Sequence, residues 1–226
     1  MSVRAPQQKG RSGFRMPAGI ALMLSAASLV LFFASPAAAQ NNVSKSESDA
    51  KLRYCEVCHG VSAQGFHGYY PIPRLAGQPT EYLKNQLQAF VEHRRTNNIM
   101  FNVGHVLSPA MIDALTTDFN QLNPKPVGGA PKENLEEGKK IFENGVASAN
   151  IPPCASCHGP EAKGNGPFPR LAGQLYDYIT AKLTNWDKER GQNPSEPDTS
   201  ALMQPIAHNL TQPQIKAVAA YLSYLE

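Results

Sequence analysis

The chain has 226 residues, of which 42% are hydrophobic and 17% charged, a length that suits one large domain or two small ones. Its 21 Lys and Arg exceed its 18 Asp and Glu, but four of the basic residues fall within the first 15 positions. The remainder carries 17 basic against 18 acidic side chains, a formal charge of −1. This near-neutral balance excludes a basic field for binding nucleic acid.

Residues 1–39 are predicted to be a secretory signal peptide. A basic front precedes an uncharged run from Ala18 to Ala34, and Ala37 to Ala39 offer the small residues that a signal peptidase cuts. No paired arginines precede the run, which favours the general secretion route. The alternative is a retained anchor, since about 17 apolar and small residues are near the lower limit for spanning a bilayer.

The rest of the chain is a duplication. CEVCHG at residues 55–60 recurs as CASCHG at 154–159, and PRLAGQ occurs without change at 73–78 and 169–174. Near-identical segments in the same order indicate two copies of one structural unit. All four cysteines of the chain lie in the two C-x-x-C pairs.

The stretch NPKPVGGAP, at residues 123–131, has the proline and glycine content of a linker. It separates the two copies and therefore marks the boundary between two domains. The predicted divisions are an N-terminal domain at 40–123, a linker at 124–131 and a C-terminal domain at 132–226.

The coarse structure of each copy is predicted to be helical, and no stretch alternates with the period of a strand. A short helix from about Ser48 precedes the first C-x-x-C pair, and one from about Lys132 to Glu143 precedes the second. Each copy ends in a helix that Ser108 or Thr211 caps, with an early proline. Apolar stripes at helical spacing follow the two PRLAGQ segments: Leu83, Leu87 and Phe90, and Ile179, Leu183 and Trp186. The fold class is all-α. Each copy has a thin core, which a large rigid group at its centre would stabilise.

Three chemistries compete for the C-x-x-C pairs. A zinc ribbon needs its two pairs about 15 to 20 residues apart, whereas 96 residues separate Cys58 from Cys154. A thioredoxin-like dithiol needs a βαβ context and no following histidine. Covalent haem attachment explains every part of the motif, because two thiols add to the porphyrin vinyl groups and the adjacent imidazole faces the iron. We therefore predict two haem c groups. The attachment residues are Cys55, Cys58, Cys154 and Cys157, and the proximal ligands are His59 and His158.

The sixth iron position separates electron carriers from enzymes that bind a small molecule. Met100 and Met203 align in the two copies, 41 and 45 residues beyond the proximal histidines, and are the predicted sixth ligands. His105 and His208 also align, so ligation by two histidines stays open. Met111 is a weaker candidate, since the second copy has glutamine at the matching position.

Four further matched residues are candidates for contact with the haem propionates. Arg74 and Arg170 can bind carboxylates in a forked geometry, and Tyr82 and Tyr178 can donate a hydroxyl. The alternative for each is a plain surface or packing role. A proline carbonyl of IPRLAGQ or FPRLAGQ is expected to accept the second N–H of each proximal imidazole.

With these motifs in place, the chain resembles the cytochrome c4 family of dihaem electron carriers. The resemblance implies two class I cytochrome c domains packed face to face, with haems close enough to exchange electrons. It also implies a periplasmic protein that passes electrons from a quinol-oxidising complex or dehydrogenase toward a terminal oxidase. Contact with the membrane would be peripheral, or through an uncleaved leader. The ending TTDFNQL of the first copy departs from AAYLSYL of the second, which leaves the packing of that helix open.

The predicted function is therefore electron transfer rather than catalysis. A dedicated haem subunit of a membrane-bound redox complex is an alternative with the same ligands. A dihaem peroxidase or sulfur-oxidising enzyme is the other alternative, but it would want an open iron or a cysteine outside the motifs. All four cysteines belong to the motifs, and both copies offer methionine.

Overall fold

The structure is a computed structural model that describes residues 43–190 and 199–226, which belong to one compact unit. The predicted signal peptide lies outside the described residues. Residues 191–198 also lie outside the described residues. Within the described part, no helix is both long enough and apolar enough to span a bilayer.

The described residues of the N-terminal half form four α-helices. They are α1 at Lys45–His59, α2 at Thr80–Val91, α3 at Asn98–Gly104 and α4 at Pro109–Gln121. The described residues of the C-terminal half add α5 at Leu135–Asn144, α6 at Ala155–His158, α7 at Tyr176–Thr184, α8 at Trp186–Glu189, α9 at Met203–Asn209 and α10 at Gln212–Tyr224. Isolated bridges are the only β-type pairing in the described residues, which confirms the all-α prediction.

Local side-chain chemistry sets where several helices begin. The Ser44 hydroxyl and the Glu47 carboxylate form a reciprocal capping box, so α1 begins at Lys45, earlier than the predicted Ser48. Asn134 has a left-handed φ of 62°, so α5 begins after it and not at Lys132. The predicted caps of the final helices are confirmed: Ser108 accepts from the Met111 amide, and Thr211 forms a capping box.

The predicted apolar stripe after the second PRLAGQ segment is wrong at its last member. Helix α7 ends at Thr184, and Trp186 begins α8, because Asn185 leaves the helical region with φ −111° and ψ 23°. Ile179 is buried in the core of the C-terminal half as expected. In the first copy, Leu83 and Phe90 are both buried on α2.

Each half has its own apolar core, and the last helix packs differently in the two halves. In the C-terminal half, α10 packs closely on α5: a Cβ placed on Gly138 would lie 2.1 Å from the carbonyl oxygen of Ala217. In the N-terminal half, Thr116 occupies the place of the small Ala219. It stays buried because its hydroxyl donates to the Ile112 carbonyl, 2.8 Å away. The substitution in TTDFNQL is thus absorbed by a backbone hydrogen bond within α4.

The segment between the halves contains no helix or strand and is held by contacts on both sides. The carbonyl oxygen of Gly128 lies 3.0 Å from His67 Nε2 in the N-terminal half, and Ala130 accepts from the Tyr224 hydroxyl at 2.5 Å. The placement of the linker at 124–131 remains a prediction.

Candidate functional site

The two C-x-x-C-H motifs lie on helical turns in both halves. Cys55 and Cys58 occupy the last part of α1, and the second motif forms α6 with Cys154 at its N-cap. Residues three apart are neighbours on a helix surface, so the two thiols of each pair face the same side. The first thiol of each pair is half-buried and the second is exposed. Burial raises the pKa of the Cys55 and Cys154 thiols to about 11.

Each predicted proximal histidine is oriented by a proline carbonyl. His59 Nδ1 lies 2.8 Å from the Pro73 oxygen, and His158 Nδ1 lies 2.9 Å from the Pro169 oxygen. A carbonyl can only accept, so Nδ1 carries the hydrogen and Nε2 keeps its lone pair. Burial lowers the pKa of both imidazoles, and the Arg95 charge adds to this effect at His59. Both imidazoles are therefore neutral, with Nδ1–H bonded to the proline carbonyl and the Nε2 lone pair free to bind a metal.

The glycine after each histidine allows the chain to turn back toward PRLAGQ. Gly60 has φ 81°, and a Cβ there would lie 2.5 Å from the carbonyl oxygen of Gly65. The Gly65 amide in turn donates to the His59 carbonyl at 2.7 Å. In the second copy, Gly164 makes the same contact with His158 at 2.9 Å. This turn brings the proline carbonyl back over the imidazole.

The candidate sixth ligands have different surroundings. Met100 in α3 and Met203 at the start of α9 are both half-buried. His105 is exposed and stacks on Phe101. His208 is also exposed, and its Nδ1 lies 3.7 Å from a carboxylate oxygen of Asp187. Met111 packs against the core of the N-terminal half.

Arg74 and Arg170 are buried, with exposed fractions of 1% and 5%, so a plain surface role does not apply to either. Each Nε donates at 3.0 Å to a carbonyl two residues further on, those of Ala76 and Ala172. Arg74 Nη1 is buried and has no hydrogen-bond partner among the described residues. Burial and the nearby charge of Arg170 lower the pKa of Arg74 to about 10.

The glutamines that end the two PRLAGQ segments clamp the opposite half. Gln174 accepts from the Arg74 amide at 2.8 Å and donates to the Arg74 carbonyl at 3.0 Å. Gln78 makes the same pair of bonds with Arg170, at 2.9 and 2.8 Å. All four residues are buried. The two copies of PRLAGQ therefore bind one another reciprocally.

A second reciprocal contact joins the halves through arginine and tyrosine. Arg95 and Arg190 form an isolated antiparallel bridge, and both guanidinium groups donate to Gln86 Oε1 at 2.8 Å. Arg95 also donates to the Tyr178 hydroxyl at 2.6 Å, and Arg190 is hydrogen-bonded to Tyr82. We call Arg95, Arg190, Gln86, Tyr82 and Tyr178 the interdomain arginine cluster.

The interdomain arginine cluster is positively charged, and its two arginines are shielded from solvent. Arg95 and Arg190 are 7% and 8% exposed. Among the described residues, no carboxylate forms a salt bridge with either guanidinium. Glu189 attracts Arg95 electrostatically, and its carboxylate is ion-paired with Lys182. Buried charges in proteins are normally paired, so the cluster has the electrostatics of a site for an anionic group.

Comparison with known proteins identifies the two halves. A family model described as Cytochrome c matches residues 50–125 and 135–226. Cytochrome c-552 of Acidithiobacillus ferridurans is 42% identical over 199 residues, covering 83% of each chain. The thiosulfate dehydrogenase electron acceptor of Thiomonas intermedia is 36% identical over 199 residues, covering 85% of each chain. The solved structure of cytochrome c4 from Acidithiobacillus ferrooxidans matches with TM-score 0.65 and 42% identity, covering 76% of this chain and 98% of that one.

The chain belongs to the cytochrome c4 family. It therefore consists of two cytochrome c domains that carry two covalently bound haem c groups. It is a dihaem electron carrier and not an enzyme, which sets aside the peroxidase and sulfur-oxidising alternatives. It exchanges electrons with redox partners.

The donor set of this cytochrome fits two haems. In each domain a pair of thiols on one helical face lies beside a neutral imidazole whose Nε2 is unengaged. The propionates of a haem are carboxylates, and the buried Arg74 Nη1 and the interdomain arginine cluster are short of carboxylate partners. When bound, the haem irons supply one-electron chemistry, while the protein fixes the ligands and the charge around them.

Sequence reasoning did not identify the two interdomain contacts. The unchanged glutamine of PRLAGQ was a signal, since an identical hexapeptide in both copies is what a reciprocal contact requires. For the arginine cluster the repeat misleads, because the offset of PRLAGQ pairs Arg190 with Arg94, whereas its partner across the interface is Arg95. Gln86 has no glutamine at the matching position of the second copy, where Lys182 stands.

Proposed function

We propose that this cytochrome is a periplasmic dihaem electron carrier with two six-coordinate irons. Cys55 and Cys58 attach the first haem and Cys154 and Cys157 the second. The axial ligands are His59 with Met100, and His158 with Met203. The observation that carries this assignment is the repeated geometry in which each proximal Nδ1 is tied to the proline of PRLAGQ while an aligned methionine stands before the final helix.

The surroundings of the rival histidines support methionine as the sixth ligand. His105 and His208 are exposed, whereas both methionines are half-buried. A thioether is a neutral, soft ligand that stabilises the reduced iron and raises its potential. Two such sites suit a carrier that accepts electrons from a donor of lower potential.

The propionate contacts are proposed in a revised form. Arg74 and Arg170 remain candidates, because both are buried beside the proximal turns. Tyr82 and Tyr178 act mainly through arginine, since their hydroxyls already bond to Arg190 and Arg95. We further propose that the interdomain arginine cluster supplies positive charge toward the haem propionates; the Arg95 charge already acts on His59.

The leader at 1–39 supports export, and covalent haem suits a carrier in the periplasm. The proposed route runs from a quinol-oxidising complex or dehydrogenase to a terminal oxidase or another acceptor. The same ligands serve a diffusible shuttle and the haem subunit of a membrane-bound complex; co-purification with a membrane complex distinguishes these two roles.

The test is a spectrum of the purified holoprotein. Two Met-to-iron charge-transfer bands near 695 nm, and uptake of two electrons per chain, are expected for His/Met ligation at both irons. A bis-histidine near-infrared signature would instead assign His105 and His208. Strong binding of carbon monoxide by the reduced protein at neutral pH would contradict two six-coordinate irons.

A second candidate concerns the electron donor. The relative from Thiomonas intermedia is a thiosulfate dehydrogenase electron acceptor, at 36% identity. We propose a thiosulfate-oxidising dehydrogenase as the alternative donor. Rapid reduction by such a dehydrogenase with thiosulfate, and slow reduction by a quinol-oxidising complex, would favour this alternative; the opposite order would favour the quinol route.

A further inference from the structure

Two peptide bonds at the domain interface are hydrogen-bonded on both sides. The Pro73–Arg74 peptide accepts from His59 Nδ1 through its carbonyl, at 2.8 Å, and donates through its N–H to Gln174 Oε1, at 2.8 Å. The Pro169–Arg170 peptide does the same with His158 and Gln78, both at 2.9 Å. In each case the imidazole belongs to one domain and the glutamine to the other.

The orientation of both glutamine amides is set by their partners. Each amide faces one backbone N–H and one backbone C=O of the same arginine, so its oxygen must meet the N–H and its nitrogen the C=O. Both glutamines are buried, at 3% and 4% exposure, so water does not replace these bonds easily.

Hydrogen bonds in such a chain polarise one another. When a peptide N–H donates to a good acceptor, the carbonyl of the same peptide becomes a stronger acceptor. A stronger bond to Nδ1–H makes an imidazole ligand more basic. A more basic imidazole stabilises oxidised iron and lowers the midpoint potential of that haem.

We propose that Gln78 and Gln174 are positioning residues that act across the interface, Gln78 on the haem of the C-terminal domain and Gln174 on the haem of the N-terminal domain. The proposal rests on the assignment of His59 and His158 as proximal ligands. Gln174 Oε1 also accepts from the Leu175 amide at 3.1 Å, whereas no second bond to Gln78 Oε1 is present in the described residues. The effect of Gln78 is therefore the larger of the two.

The test uses near-isosteric, uncharged substitutions in the holoprotein. In Gln78→Met the Arg170 N–H loses its acceptor, and the potential of the C-terminal haem is expected to rise by about 28 mV or more, a threefold change in a one-electron equilibrium. The potential of the N-terminal haem should stay unchanged. Gln174→Met should raise only the potential of the N-terminal haem, and by less than Gln78→Met raises that of the C-terminal haem. Introducing Met100→His or Met203→His alongside identifies which potential belongs to which domain.

The matched control is Gln88→Met, the same substitution at an exposed position of α2; it should move neither potential. A second readout is the Nδ1–H proton resonance of the reduced protein, which should shift upfield for His158 in Gln78→Met and for His59 in Gln174→Met. Gln78→Asn, whose shorter amide falls short of Arg170, should act in the same direction and serves if Gln78→Met folds poorly.

Several results would overturn the proposal. They are a change in the midpoint potential of the haem in the mutated domain itself, an equal change in both midpoint potentials, or no change in either potential in a folded variant. If no variant folds, rapid solvent exchange of either Nδ1–H in the wild-type protein would overturn it, and slow exchange of both would support it. Failure of the ligand assignment is recognised separately, because the wild-type protein would then lack the 695 nm bands.

Discussion

Met100 and Met203 are the proposed sixth ligands of the two irons, and their replacement tests the ligand assignment most directly. In Met203→His, a nitrogen ligand replaces a thioether and stabilises the oxidised iron. We expect the potential of the C-terminal haem to fall by about 59 mV or more, a tenfold change in its one-electron equilibrium. Half of the 695 nm absorbance should disappear. Redox titration with optical detection measures both changes.

The matched variant Met100→His should give the same result for the N-terminal haem. Met111→Leu is the control, since Met111 packs in the core and Leu preserves its volume. A loss of 695 nm absorbance in Met111→Leu would contradict the ligand assignment.

Gln86 accepts a hydrogen bond from both buried arginines, and its replacement tests the charge of the interdomain arginine cluster. Gln86→Glu keeps the shape and adds one negative charge in a site of low dielectric. We expect both midpoint potentials to fall by about 59 mV or more, because reduction adds negative charge to each haem. Protein-film voltammetry measures the two potentials together.

Gln88→Glu places the same charge on the exposed face of α2. Water and salt screen charges there, so both potentials should stay close to those of the wild-type protein. If the two variants behaved alike, the cluster would not be the source of the effect.

Residue identity alone predicted the cysteines, the histidines and the proline carbonyls, because spacing along one helical turn is a local property. It could not predict the burial of Arg74. The partner that covers its backbone is Gln174, one hundred positions away. The sequence also favoured tyrosine contacts with propionates, whereas the hydroxyl of Tyr178 is taken by Arg95. Long-range pairing of this kind has no signature in composition or period.

At the scale of elements, the close approach of α5 to α10 fixes the C-terminal domain. Gly138→Ala would place a Cβ 2.1 Å from the Ala217 carbonyl oxygen, so the helices must move apart. Overpacking of this kind costs about 3 kcal/mol. We expect a lower melting temperature for the holoprotein, measured by circular dichroism, with the C-terminal domain affected first.

Gly104→Ala is the comparison at another helical glycine. Its added Cβ would lie 3.2 Å from a side-chain carbon of Val91 and 3.3 Å from the Leu87 carbonyl oxygen, contacts that shifts of a few tenths of an ångström relieve. The melting temperature should therefore change much less than in Gly138→Ala. Equal destabilisation by the two variants would mean that α5 and α10 are less tightly packed than the structure indicates.

Elements with a regular apolar stripe and a capping residue were predictable, as α4 and α10 demonstrate. Both signals act within one or two turns. The predicted start of α5 was wrong because Asn134 adopts a left-handed conformation. Asparagine tolerates this conformation, but its presence in a sequence does not predict it. Trp186 was assigned to the preceding helix because its spacing fits, although the chain turns at Asn185.

At the scale of the whole molecule, the interface should hold the two domains together without the linker. A Cβ added at Gly128 meets nothing within 4 Å, so a protease site inserted after it is expected to be tolerated. After cleavage we expect the two halves to elute together in gel filtration. Gln78, Gln174 and the interdomain arginine cluster form buried hydrogen bonds across the interface. The polar groups in these bonds would lack partners in a separated half.

The cleaved protein that carries both Gln78→Met and Gln174→Met should separate on dilution. Four buried hydrogen bonds across the interface are then lost. Separation of the cleaved wild-type halves at the same concentration would contradict a self-sufficient interface.

The reciprocal binding of the two PRLAGQ segments has a consequence for stoichiometry. Because each copy of the segment recognises the other copy, a single domain bearing it has a self-complementary surface and would pair with itself by two-fold symmetry. Such a pair forms only in proportion to concentration. Fusion through a short linker makes the encounter intramolecular, so that pairing is governed by an effective concentration and no longer by dilution. The two haems then remain partners even when a cell makes only a few copies of the chain.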